Sequence, residues 1–193
     1  MIPSYLNDLY LPQVFSAFSS GVDSYIHEST TDEHIVDSHS QRISGFVTAS
    51  FGQTEDLSGQ YFSVKNPTGK KYAMLQIDNG IIQSTRINKC DCAVINDSNL
   101  ALIEFKTDAF SPNSQVLHRN YKKAMRQLSS VIGLFDAFHS SQGTDFLTLR
   151  AVEAFVCFRQ GYPRSTSSQM YFQVSFAATN RGVPLSFTRN KIL

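Results

Sequence analysis

The sequence predicts an α/β fold, a mixed central sheet flanked by helices. Three observations lead there. Two apolar runs, 89–95 and 100–106, are separated by the turn-forming Asn96-Asp97-Ser98-Asn99. A long helical stripe follows between residues 116 and 139, and a further strand-like run occupies 149–158. Strands interleaved with a long amphipathic helix imply a sheet covered by helices.

Taken in order, residues 4–19 place Tyr5, Leu6, Leu9, Tyr10, Val14, Phe15 and Phe18 at helical spacing, with Pro12 allowing a break. Residues 1–28 are therefore expected as a helical extension that packs on the body or pairs two copies. Thr30 to Glu33 matches the S/T-x-x-E capping box, which predicts a second helix running through Ile35, Val36, His39, Ile43, Phe46 and Val47. Residues 51–71 read as loop, with one strand at Tyr61-Phe62-Ser63-Val64. A strand over 72–77 ends at an Asp78-Asn79-Gly80 turn suited to a hairpin. The runs 72–77, 89–95 and 100–106 form the antiparallel part of the sheet.

The next helix carries Leu117, Tyr121, Ala124, Met125, Leu128, Val131, Ile132 and Phe135 on its apolar stripe, and Lys122, Lys123 and Arg126 on other faces. Residues 149–158 are apolar at both parities, as in a strand buried on both faces. A loop over 159–168 is expected to cover a cleft, and two more strands, at 170–178 and 182–189, complete the chain.

Composition narrows the function classes. With 193 residues, 41% apolar and 12% aromatic, the chain suits one domain with a substantial core. Its formal charge is +1, so contact with nucleic acid must depend on a local basic patch. Three cysteines, two of them in Cys90-x-Cys92, match neither a zinc spacing nor a disulfide framework, which places the expected setting in a reducing cytoplasm. No signal peptide and no membrane-spanning run is expected. The five histidines form no metal-ligand pair, and no nucleophile elbow, phosphate loop or dinucleotide fingerprint occurs.

Chemistry gathers on the two apolar runs. Period two puts Leu102, Glu104 and Lys106 on one face, Lys89, Asp91 and Ala93 on one face of the partner run, and Cys90 and Cys92 on the other. Charges on a strand that should be buried are costly unless they are paired or hold a metal. Two carboxylates holding a hard cation, with an ammonium beside a water, would supply what phosphodiester hydrolysis needs.

Asp91, twelve intervening residues and Glu104-x-Lys106 resemble the core motif of the PD-(D/E)XK nuclease superfamily. Lys-Cys-Asp, a strand and Ile-Glu-Phe-Lys is similar to uncharacterised bacterial members of it. The resemblance covers residues 30–160 and implies a restriction-endonuclease-like core, ordered helix, three antiparallel strands, helix, strand, within a single 1–193 domain whose segment 161–193 adds C-terminal strands. It implies a nuclease of DNA processing or defence, acting on DNA in preference to RNA. Mg²⁺ (or Mn²⁺) would be held by Asp91, Glu104 and the carbonyl of Phe105, with Lys106 positioning or deprotonating the water.

The resemblance further assigns Glu33 as an upstream carboxylate, with Glu28 and Asp32 as rivals. Asp32 and Glu33 would equally serve the dipole of the predicted helix. Gln127 would orient a phosphate or a water. The aromatic that one branch carries four residues later is Val131 here, a departure from that branch. Lys89, Lys122, Lys123 and Arg126 are the candidate nucleic-acid contacts, against a solvated helix face for the last three. The alternative is a non-catalytic relative that retains the fold for binding, and a homodimer or a larger protein complex is a further expectation.

Overall fold

The structure, a computed structural model, describes residues 1–38, 43–47, 61–107, 113–159 and 166–193, the backbone alone for 38 and 43–47. Residues 4–9 and 22–25 are 3₁₀ turns. The helices are α1 (Leu11–Val14), α2 (Ser114–Ser141), α3 (Phe146–Leu149) and α4 (Thr166–Thr179). The strands are β1 (Ile26–Ser29), β2 (Glu33–Ser38), β3 (Ile43–Val47), β4 (Tyr61–Lys65), β5 (Tyr72–Gln76), β6 (Cys92–Ile95), β7 (Asn99–Lys106), β8 (Ala151–Phe158), β9 (Leu185–Ser186) and β10 (Asn190–Ile192).

A six-stranded mixed sheet, ordered β1-β5-β6-β7-β8-β9, forms the centre. Strands β5, β6 and β7 pair antiparallel as expected, and β8 returns parallel to β7 after the α2 crossover. Strand β8 is buried along most of its length on both faces, which a parallel position between two layers requires. Helix α2 starts where the Asn113 side chain accepts the N–H groups of Gln115 (2.9 Å) and Val116 (3.4 Å). Its predicted stripe faces the sheet, with Leu117, Tyr121, Ala124, Leu128, Val131, Ile132 and Phe135 buried.

The sheet separates two apolar clusters. On one face, α2, α4 and the N-terminal segment pack on Ala93, Leu100, Leu102 and Val156. On the other, Met74, Val94, Ala101 and Ile103 meet Ile35, Phe62 and Val64 of a second sheet ordered β10-β4-β2-β3. The N-terminal segment contributes Leu6, Leu9, Leu11, Val14 and Phe15 to the helix-side cluster. It is broken at Tyr10, whose φ of 49° lies in the left-handed region.

Three expectations are corrected. The helix predicted from Thr30 is the pair β2 and β3, antiparallel, so among the described residues no helix stands between β1 and the core strands. The capping-box acid Glu33 instead accepts from the hydroxyls of Ser29 (2.9 Å) and Thr31 (3.0 Å), a local side-chain arrangement that favours a turn into a strand. His39 lies outside the described residues. The strand predicted over 170–178 is helix α4, in which Phe172 and Phe176, four apart, are buried while Val174 is 72% exposed. Its aromatic spacing satisfied both periods, and packing selected the helical one. The final predicted strand reduces to β9 parallel to β8, with β10 joining β4 in the second sheet.

Candidate active site

The β6–β7 pairing brings the motif residues together at one end of the central sheet. Just before β6, the Asp91 carbonyl accepts N–H groups from both Ile77 and Asp78, each at 3.0 Å, a β-bulge at the end of β5. Ladder pairing is irregular here, and Cys90 packs in the helix-side cluster with Ala93 while Cys92 faces the second sheet. The expectation that both cysteines share a face is thereby corrected. Burial pushes both thiols well above their usual range, so they serve as small apolar groups.

Asp91 Oδ2 accepts the Phe105 N–H at 2.5 Å, which fixes its carboxylate against the end of β7. Glu104 and Lys106, two apart on β7, share the helix-facing side and form an ion pair. The Lys106 ammonium also donates to Gln127 Oε1 (3.0 Å) and to the Phe105 carbonyl (3.3 Å). Gln127, on α2, donates in turn to the Lys89 carbonyl at 2.9 Å. Gln127 thus ties the helix to both strand ends.

The centre is electrostatically frustrated. Glu104 is 1% exposed, and its Oε2 is buried without a partner among the described residues, as is the hydroxyl of Thr107 next along. Burial raises the Glu104 pKa to about 7, assisted by Asp78, although the ammonium of Lys106 and the more distant Lys123 oppose the shift. Asp91 is pushed well above the usual carboxylate range by burial first, then by the charges of Glu104 and Asp37. Two buried carboxylates with too little cationic charge around them favour protons or an added cation.

The other candidates separate by position. Lys89 is buried and fully engaged, donating to the carbonyls of Ile82 (2.7 Å) and Ser84 (2.8 Å) and pairing with Asp78 at 2.9 Å. It anchors the loop between β5 and β6, so the expected phosphate contact gives way to a structural task. In that loop Gly80 is required, since a Cβ there would lie 2.4 Å from the Gln76 carbonyl oxygen. Glu33 sits at the β5-start end of β2, close to Tyr72, with its Oε2 buried and unpartnered among the described residues. Asp37 shares the Glu33 side of β2 by period two and stands at the Asp91 end, about 13 Å along the strand by ordinary rise. Asp37 is thus the acid of β2 that reaches this neighbourhood, on a segment whose sequence predicts a helix. Glu28 lies on β1, exposed, accepting from Tyr5 at 3.2 Å, and Asp32 accepts the Asn66 N–H at 2.7 Å. Lys122, Lys123 and Arg126 are exposed on α2.

Among the described residues, no three His, Cys, Asp or Glu side chains are grouped as ligands for a metal ion. The donor set nonetheless fits a hard cation that takes one or two carboxylates and completes its shell with water and phosphate oxygens: Asp91 and Glu104 offer oxygen, and Glu104 Oε2 has no other partner among the described residues. Also among these residues, no helix is long and apolar enough to cross a membrane. No protein-family model, curated protein or solved structure matches the chain.

Proposed function

We propose that the chain is a metal-dependent nuclease of the PD-(D/E)XK type, with a restriction-endonuclease-like core built from β5, β6, β7, α2 and β8. The observation that carries this reading is the convergence of Asp91, Glu104 and Lys106, with Gln127 holding Lys106, at the end of two paired strands. Asp91, Glu104 and the Phe105 carbonyl are the groups that would hold Mg²⁺ or Mn²⁺. The ion would supply Lewis-acid polarisation of a phosphodiester and a more acidic bound water.

The chain's own residues do the rest. Glu104 and Lys106 form one buried ion pair, which holds an ammonium beside the carboxylate oxygens that would bind the ion. Lys106 stabilises charge developing on the phosphoryl oxygens, and Gln127 fixes its ammonium. Nucleic acid is the proposed partner, DNA before RNA.

A second reading, a binding module without catalysis, is favoured by the burial of the trio: Asp91 is 9%, Glu104 1% and Lys106 7% exposed. Incubation of supercoiled and single-stranded DNA, and of RNA, with Mn²⁺ separates the two. The nuclease reading expects cleavage by the wild type, lost in Asp91→Asn and Lys106→Ala and under chelation. Binding without cleavage, unaffected by those variants, assigns the module.

A further inference from the structure

Beside the proposed centre, α2 presents Lys122, Met125, Arg126 and Ser129, residues at i, i+3, i+4 and i+7, along one wall of a groove of about 490 Å³. Asn88 and Thr179 form the rest of its described lining. That lining holds two cations and no acid. The groove opens next to the catalytic neighbourhood, since Asn88 precedes Lys89, whose carbonyl Gln127 holds at 2.9 Å.

We infer that this groove binds the backbone and sugar of one nucleotide in a single strand of nucleic acid, one step from the phosphodiester at Asp91 and Glu104; the inference rests on the nuclease reading. Lys122 and Arg126 meet a phosphate, and Met125 with the aliphatic stems of the two cations gives the sugar or base an apolar bed. The volume is that of a small-ligand site, about 300–1,000 Å³, which accommodates a nucleotide unit and not a duplex. The C-terminal end of α4 at Thr179 contributes a partial negative charge of about one half, which two full cations outweigh. Lys123, next in sequence to Lys122, belongs elsewhere: it acts on Glu104 and is not part of the described lining.

The test is fluorescence anisotropy of a labelled single-stranded oligonucleotide with EDTA present, so that the metal centre does not contribute. The variants are Lys122→Ala/Arg126→Ala and, as a charge-matched control on the same helix, Arg119→Ala, whose side chain is exposed outside the groove lining. All sites are exposed, and circular dichroism checks the fold. The double variant is expected to bind at least tenfold more weakly, with the slope of log affinity against log salt reduced by about 1.4, the value for two phosphate contacts on a single strand. Arg119→Ala stays within twofold of the wild type. Equal weakening by both variants, or none by the double variant while the wild type binds, overturns the groove and leaves the nuclease reading, which is judged by cleavage with Mn²⁺, standing. Failure of the wild type to bind the strand in EDTA overturns the groove, and absence of Mn²⁺-dependent cleavage by the same protein overturns the nuclease reading separately.

Discussion

The two ends of β7 both sit beside buried charge, and they treat it in opposite ways. At the Asn99 end, Arg150, 5% exposed, donates Nε to the Asn96 carbonyl (2.6 Å), one terminal nitrogen to Asp8 (2.8 Å) and the other to the Tyr5 carbonyl (2.5 Å). Every nitrogen of the guanidinium has an oxygen, and the contact ties the N-terminal segment to the β6–β7 turn. At the other end, Glu104 keeps one oxygen without a described partner, and Asp91 and Glu104 both resist ionisation. A buried charge that is fully paired holds structure together; buried carboxylates short of cationic charge are an unfinished arrangement that a ligand completes.

Breaking the satisfied end gives the largest expected effect. Arg150→Ala strands the Asn96 and Tyr5 carbonyls and loosens the N-terminal segment, a loss of about 3–4 kcal/mol in a urea titration. A loss below 1 kcal/mol would show that the contact is incidental.

The unfinished end is next, read through pH. An acid whose folded pKa lies above its unfolded value binds more protons when folded, so its contribution to stability is greatest below the unfolded pKa and is lost as pH rises towards the folded one. For Glu104 that window runs from 4.5 to about 7. The stability of the wild type is expected to fall by about 3 kcal/mol across it from this group alone. The fall should shrink by about that amount in Glu104→Gln, leaving the part that belongs to Asp91; an undiminished fall assigns the slope to another group.

Asp91→Asn keeps an oxygen for the Phe105 N–H and removes a charge that burial, Glu104 and Asp37 disfavour. The variant is expected to be more stable than the wild type by about 1–2 kcal/mol at pH 8 while losing activity, the opposite of the Arg150 result. Lower stability in thermal unfolding at pH 8 would contradict the contrast between the two ends. The smallest effect is at Lys123, whose charge lowers the Glu104 pKa: Lys123→Ala should move the Glu104 carboxyl resonance to titrate at higher pH, with unfolding stability little changed.

Much of the central sheet was legible because strands with a strong apolar pattern and a sharp turn leave few alternatives. The β6–β7 turn, the α2 stripe and the burial of β8 on both faces all follow from period and turn chemistry. The same parity placed Glu104 and Lys106 together. It failed at Cys90, because the chain leaves regular pairing at Asp91, whose N–H reaches the Ile103 carbonyl although Cys92 is the residue paired with Ile103.

Local signals misled where tertiary contacts decided. Thr30 to Glu33 has the composition of a helix cap, yet Ile35 and its neighbours are stabilised by pairing with β4 and by the face of the central sheet, partners distant in sequence. The same signal drew attention to Glu33 and away from Asp37, the acid of that strand whose charge acts on Asp91. Lys89 looked like a free cation because nothing in its neighbours announces that the carbonyls of Ile82 and Ser84 turn towards it. Arg150 showed no local signal, since its partners lie 54 to 145 residues away.

The most direct test of the unfinished centre is calorimetric titration of Mn²⁺ at pH 8 into the wild type and Asp91→Asn, with a non-cleavable single-stranded oligonucleotide present to supply phosphate oxygens. The account predicts binding to the wild type and none to Asp91→Asn, together with proton release that grows as the pH is lowered towards 7, where Glu104 is partly protonated. Equal heats from both proteins, or no binding by the wild type, would contradict it.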